Sequence, residues 1–322
     1  MSRHISTGLA ALALVVCATS AFAQNYPTRP VRVIVPWPAG GSIGTTARIV
    51  TQRLSTLLHG SFVVDNRAGA AGTIGAELAA KSPADGHTLM VHSATHVANA
   101  TTYKHLPYRT IEDFTPIAFL SAQPAVLVVH SSLSVKSTRE FIALAKSRPA
   151  QINYASSGNG SSPHLAMGLF ATTANISLTH VPFRGGPPAI TSLLAGETQA
   201  SIATLPNALP HVTAGRIRAL GVTTAKRVAS TPNIPTIAES GLPGYEMNPW
   251  ISLFGPAGLK RELVAELNTT VNKILREPDI AKSMVNQGLE AWSGTPEQLA
   301  ARMRADLDKF AKLIKAIGVT ND

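Results

Sequence analysis

The sequence is poor in cysteine, in charge and in aromatic rings. Its one cysteine is Cys17, and charged residues are 14% and aromatics 5% of the 322 positions. Beyond residue 17 the chain therefore has no disulfide framework, no thiolate metal site and no cysteine nucleophile. No histidine pair has HExxH or similar ligand spacing, so no metal is expected. Lys and Arg are scattered singly, with few aromatics to stack on bases, which argues against nucleic acid. Past the N-terminal segment no apolar run approaches the ~20 residues that span a bilayer. Gly158-x-Gly160-x-x-Pro163 lacks the third glycine of a dinucleotide fingerprint, and no glycine loop leads into a Walker lysine. No cofactor is expected.

What is present begins with an export signal. Arg3 and His4 precede a mostly apolar stretch from Ile5 to Ala21, and Ala21-Phe22-Ala23 gives the small-x-small pattern of signal-peptide cleavage. Residues 1–23 read as a signal peptide, with Gln24 as the mature start. An uncleaved anchor or a lipoprotein at Cys17 are the alternatives; Val16 is a poor residue before a lipidated cysteine. The mature chain has 299 residues (322 minus 23) and no thiol, which suits the periplasm. Loss of Arg3 lowers the formal charge from +10 to +9. A positive balance serves solubility or attracts anionic solutes.

Along the mature chain short β-branched runs alternate with glycine-rich loops and helical spacing. Strands are expected at Val31–Val35, Phe62–Val64, Thr88–Val91, Ile117–Leu120, Ala125–His130, Ile152–Ala155, Ser177–Val181, Ala200–Thr204, Ala219–Thr223 and Trp250–Gly255. Helices are expected at Thr46–Leu58, Ile74–Ala80, Ser137–Ser147, Pro163–Thr172 (capped by Ser162), Pro188–Leu194 and Ala208–Ala214. Three more follow at Glu262–Arg276, Asp279–Gln287 and Pro296–Ile317. Ala225 to Gly244 reads as a connector. This is an α/β pattern in which each domain is a mostly parallel sheet flanked by helices. The helical tail suggests an interrupted first domain, 24–124 plus 247–322, with 125–246 as the second. Crossings near Pro124 and Pro249 would form a two-strand hinge.

Two loops could hold an anion. Pro38-Ala39-Gly40-Gly41-Ser42-Ile43-Gly44 follows the first strand, and Ala155-Ser156-Ser157-Gly158-Asn159-Gly160-Ser161-Ser162 follows another. Each leads into a helix start, where backbone N–H groups and the helix dipole favour negative charge. Packing of a tight turn is the bland alternative for either loop alone. Two facing loops at strand carboxyl ends would clamp a carboxylate. Pro182-Phe183-Arg184-Gly185-Gly186-Pro187 is a third such loop, in which Arg184 could pair with an anion or merely pack. Gly40-Gly41-Ser42-Ile43-Gly44 also fits G-x-S-x-G, so a serine hydrolase using Ser42, with His96, His164 or His180 and Asp85 or Asp113, is an alternative. Four residues separate that loop from its strand, and no earlier strand supplies an oxyanion hole.

At these loops the sequence resembles the tripartite tricarboxylate transporter substrate-binding proteins, the Bug family. The likeness runs in order through Tyr26-Pro27-Thr28-Arg29-Pro30-Val31-Arg32, Val35-Pro36-Trp37-Pro38-Ala39-Gly40-Gly41, Asp65-Asn66-Arg67-Ala68-Gly69, Asp85-Gly86-His87-Thr88-Leu89, Tyr154-Ala155-Ser156-Ser157-Gly158, His180-Val181-Pro182-Phe183-Arg184-Gly185 and Pro235-Thr236-Ile237-Ala238-Glu239-Ser240-Gly241. It implies a two-domain periplasmic-binding-protein fold (type II, Venus-flytrap). It implies a non-enzymatic, monomeric protein that delivers a small carboxylate to the permease subunits of a tripartite transporter. A ligand sensor presenting its carboxylate to a sensor kinase is the alternative. The implied ligand contacts are Ala39, Gly40, Gly41 and Ser42 in one loop and Ser156, Gly160 and Ser161 in the other, with Thr95, Arg184, Gly185 and Thr204 around them. Ser161 is expected to donate its hydroxyl to the ligand. The family usually has an acidic residue where Gly44 stands, which leaves an amino-bearing ligand without that partner.

Overall fold

The computed structural model describes residues 26–319. The signal segment 1–23, the Gln24 start and Cys17 lie outside the described residues. The described residues begin with β1 (Val31–Val35), α1 (Ser42–Leu57), β2 (Phe62–Asn66), α2 (Thr73–Ala80), β3 (Thr88–Ser93), α3 (Thr95–Thr102) and β4 (Phe114–Ala122). It crosses to β5 (Ala125–His130), α4 (Thr138–Ser147), β6 (Asn153–Ser156), α5 (Ser162–Ala174), β7 (Thr179–Pro182), α6 (Gly186–Leu194), β8 (Ala200–Thr204), α7 (Leu205–Thr213) and β9 (Ile217–Val222). After a long connector come β10 (Trp250–Pro256), α8 (Arg261–Leu275), α9 (Pro278–Asn286), β11 (Glu290–Ala291) and α10 (Pro296–Ile317).

Two sheets result, ordered β11-β4-β10-β3-β1-β2 and β7-β6-β8-β5-β9. β1 shows why the β-branched runs are central strands. Val31, Val33, Ile34 and Val35 are all buried, as a parallel strand covered on both faces requires. Helix α1 turns Ile43, Ala47, Val50 and Leu54 onto that sheet at helical spacing. β1 pairs in parallel with β2 and β3, and β6 in parallel with β7 and β8. Both sheets are nevertheless mixed. β10 runs antiparallel between β3 and β4, and β5 runs antiparallel between β8 and β9. Each of these strands enters its sheet straight from the other lobe, without a helical crossover to reverse its direction. The inner orders β2-β1-β3-β10-β4 and β7-β6-β8-β5-β9 thus repeat one plan.

The two crossings are tied together. Gln123 N donates to Pro249 O at 2.8 Å, and Ala122 pairs with Trp250. On the second lobe Thr223 N donates to Ala125 O at 2.8 Å, and Met247 N to Thr223 O at 2.8 Å. A third element touches both lobes, since α10 packs on α3 and β4 and also on α5. Thr295 and Gln298 start α10 with reciprocal capping bonds, and Gly318 ends it at φ 69°.

The structure departs from the sequence reading at other elements as well; α1, for one, starts at Ser42 and not at Thr46. Helix α3 was not expected, because Thr-His-Val-Ala-Asn-Ala-Thr-Thr has weak helix propensity. It forms because Thr95, His96, Val97, Ala98, Asn99 and Thr102 are buried in the surrounding structure. Strand β11 is only two residues long and carries no pattern of its own. Helix α5 begins at Ser162, and its cap is Ser161.

Candidate functional site

The carboxyl ends of β1, β3, β6, β7 and β8 all lead into helices, and the starts of α1, α3, α5, α6 and α7 converge between the lobes. They line a cleft that is partly open to solvent. Trp37, Pro38, Gly41, Ser42, Ile43, Ser93, Thr95 and Gln123 face it from the first lobe and the hinge. Ser157, Ser161, Ser162, Pro163, Gly185, Gly186, Pro187, Thr204 and Asn207 face it from the second. None of these side chains carries a charge. Positive potential comes instead from helix starts, each worth roughly half an elementary charge.

The donors are backbone amides and hydroxyls. Gly41 caps α1 without a side-chain bond, and the first helical bond is Thr45 N to Gly41 O at 3.0 Å. The N–H groups of Ser42, Ile43 and Gly44 therefore have no helical acceptor. Helices α6 and α7 likewise start without a side-chain cap. Thr204 Oγ1 and Trp37 Nε1 are buried and have no partner among the described residues. Ser42 Oγ accepts a hydrogen bond from Gln123 Nε2. An amide cannot take a proton from a serine, so the contact at Ser42 is a positioning one and not that of an activated nucleophile.

Imidazoles support the loop after β6 from behind. His164 and His180 stack at 3.8 Å, and Tyr154 stacks on His180 at 4.8 Å. Gly160 N donates to His164 Nδ1 at 3.1 Å, and His180 Nε2 lies 2.6 Å from Ser156 Oγ. Burial, and then the neighbouring His180, push His164 down to about 3. Burial alone pushes His180 to about 4. In the first lobe Ser93 N donates to His92 Nδ1 at 2.7 Å. Burial holds His92 well below its ordinary value and takes His96 to about 4. All four rings are neutral at pH 7, so they shape the site without adding charge to it.

Of the residues singled out in the sequence, Gly41, Ser42, Thr95, Ser161, Gly185 and Thr204 line this cavity. Ala39 and Gly40 are exposed at the turn before it. Ser156 lies under its own loop, donating to Gly158 O at 3.2 Å and accepting from Gly158 N at 3.1 Å. Gly160 sits against Thr102 of the first lobe, where an added Cβ would come within 2.8 Å of Thr102 Cγ2. Arg184 belongs to a wider outer chamber, open to solvent, that shares Trp37, Pro38, Ser157 and Gly185 with the inner cavity. The sequence reading missed Trp37, Ser93, Gln123, Ser157, Ser162 and Asn207. Gln123 had a signal in its place beside the hinge proline, and Ser157 and Ser162 in their place within a flagged loop.

Comparison with known proteins agrees with this architecture. The sequence profile described as "Tripartite tricarboxylate transporter family receptor" matches residues 46–319. Protein BugT of Bordetella pertussis is 33% identical over 298 residues, spanning 92% of this chain and 91% of BugT. The structure of R. palustris Rpa4515 with adipate superposes with a TM-score of 0.88 at 37% identity, covering 92% of this chain and 99% of that one. MatC from Rhodopseudomonas palustris with bound malate gives a TM-score of 0.84 at 30% identity, covering 90% and 100% of the two chains.

Proposed function

The chain belongs to the tripartite tricarboxylate transporter receptor family, and from that premise we propose that it captures a small carboxylate between its lobes and hands it to the permease subunits of such a transporter. One observation carries the reading: five helix starts converge on a cavity with no charged side chain. Such a site neutralises an anion by amide donors and dipoles, yet holds no fixed charge that would trap it. Relatives solved with adipate and with malate carry carboxylates, which supports the same ligand chemistry here.

In this reading the sheets are the cores of two lobes, with boundaries at 24–124 plus 247–322 and at 125–246, and the crossings at Gln123 and Pro249 are the hinge. Gly41, Ser42, Thr95, Ser161, Gly185 and Thr204 surround the carboxylate; Arg184 waits at the outer chamber. The protein acts as a periplasmic monomer after removal of residues 1–23 and turns over no substrate. Among the described residues no helix is long and apolar enough to cross a membrane.

The test is calorimetric titration of the mature protein with a carboxylate panel and with the matching methyl esters. Free acids are expected to bind and esters to fail, because the ester presents no anionic acceptor to the amides. Equal binding of acid and ester would overturn the proposal.

A further inference from the structure

The inner cavity and the outer chamber share Trp37 and Pro38 but differ in their rings, since the outer one adds Tyr103 and Phe183. The inner cavity presents hydroxyls, amides and helix starts. The outer chamber is walled by Trp37, Tyr103, Phe183, Pro38 and Pro182 together with Ser157 and Asn159, and its one charged lining residue is Arg184. Its roof is Ala68-Gly69-Ala70-Ala71-Gly72, a segment with no side chain larger than a methyl group. That roof takes an unusual path. Ala70 and Ala71 have φ 46° and 50°, between Gly69 at 139° and Gly72 at 91°. L-residues seldom adopt such angles. The path is held by Asn99 Nδ2 donating to Ala71 O at 3.0 Å and by Gly72 N donating to Gly69 O at 2.9 Å. The segment is thus kept thin and away from the opposite wall, and the space below it stays open.

Resting on the carboxylate reading above, we propose that the preferred ligand is an aromatic carboxylate. Its carboxylate enters the inner cavity, and its ring fills the outer chamber. Four residues shared by the two spaces make them continuous, so one molecule occupies both. Trp37, Tyr103, Phe183 and the two prolines line the chamber, and ring-on-ring packing adds to plain area burial. A flexible aliphatic chain loses rotamer freedom on entering, which a ring does not. The Arg184 guanidinium makes no hydrogen bond or ion pair among the described residues. It is therefore free to lie over the π face of a ring or against a polar substituent on it.

The experiment titrates the mature protein with acetate, succinate, adipate, benzoate and 4-hydroxybenzoate. An aromatic acid is expected to bind at least about tenfold more tightly than any of the linear acids, as the extra apolar burial implies. Ala68→Leu, at an exposed position, should remove most of that advantage and bring the aromatic-to-linear ratio towards one. Phe183→Ala should weaken the aromatic acids more than the linear ones. A linear acid that binds as tightly as both aromatic acids, or an Ala68→Leu protein with an unaltered aromatic-to-linear ratio, overturns the proposal and leaves the carboxylate reading standing. Failure of every acid to bind would overturn both.

Discussion

Thr95 and Ser162 join the two lobes directly. Ser162 N donates to Thr95 Oγ1 at 3.1 Å, and the two hydroxyl oxygens lie 3.2 Å apart. Each residue is the first of its helix, one in α3 and the other in α5. The link places both helix starts at one wall of the inner cavity. Gly160 against Thr102 and Gly185 against Pro38 bring the lobes together beside it.

Thr95→Val keeps the shape of the side chain and removes the acceptor. With the lobes together, Ser162 N then has no partner, whereas with the lobes apart water can satisfy it. The penalty therefore falls on closure and not on folding. Affinity for the carboxylate should drop roughly tenfold, the worth of one hydrogen bond at about 1–1.5 kcal/mol. The unliganded melting temperature should hold. Small-angle scattering of the unliganded variant should show a larger radius of gyration than wild type. An unchanged radius and an unchanged affinity together would mean that the contact has no part in closure.

Ser161 has two jobs that substitution can separate. Its Oγ accepts from His164 N at 3.4 Å as the cap of α5, with φ −63° and ψ 154°. That bond uses a lone pair and leaves the hydroxyl proton for an acceptor in the cavity. Ser161→Ala should cost about 1 kcal/mol of unliganded stability through the cap and roughly tenfold in affinity through the ligand. Ser161→Gly should recover most of the stability, since glycine is a fair cap, and recover none of the affinity. Melting curves and titrations of both variants decide the matter; wild-type affinity in both would reduce Ser161 to a cap.

The buried imidazoles make stability fall with acid. His164 and His180 are held at about 3 and about 4 in the fold, against roughly 6.5 in an unfolded chain. His96 is likewise held at about 4. Below ~6.5 the unfolded chain binds protons that the folded chain does not. The stability from the neutral rings is complete above that pH and is lost progressively towards pH 4. Geometry gives the same sign, because His164 Nδ1 and His92 Nδ1 each accept a backbone N–H and a proton there would displace it. Urea midpoints should decline steadily between pH 6.5 and pH 4.5, above the range where the salt-bridged carboxylates titrate. His164→Gln should flatten part of that slope; an identical slope would show that the ring is protonated as readily in the fold as outside it.

Much of this architecture was legible in the residues, for reasons that differ by element. Ala125–His130, Ala200–Thr204 and Pro296–Ile317 were read with the ends they have, because an apolar run or a capped amphipathic repeat defines them locally. Helix α3 was invisible because its stability comes from burial and not from its own sequence. In the first glycine loop the sequence marks a glycine-rich turn into a helix start but not which amides turn inwards. That depends on Gly40 at φ 84°, which leaves Ala39 and Gly40 outside and brings Gly41 and Ser42 to the cavity. Gln123 shows a second limit. Pro124 marks a break in the chain, yet only the fold reveals that its neighbour's side chain reaches Ser42.

Trp250, the first residue of β10, donates Nε1 to Asp306 Oδ2 at 2.8 Å, and Arg302 Nε donates to the same oxygen at 2.8 Å. Arg302 also reaches Asn248 O at 3.3 Å and lies 5.5 Å from the centre of the Trp292 ring. Trp250 is fully buried and Asp306 is 4% exposed, so neither can turn to water when its partner is removed. Asp306→Ala should therefore cost about 2–4 kcal/mol in urea unfolding, from an unpaired indole N–H and an arginine stripped of its anion. Asp306→Asn keeps an oxygen for Trp250 and should cost about half as much. Trp250→Phe removes the donor, so the Asp306→Ala penalty measured on that background should be smaller by about 1 kcal/mol. A penalty that stays the same on both backgrounds would separate the indole from the carboxylate. In that case α10 would brace the crossing through Arg302 and Asn248 alone.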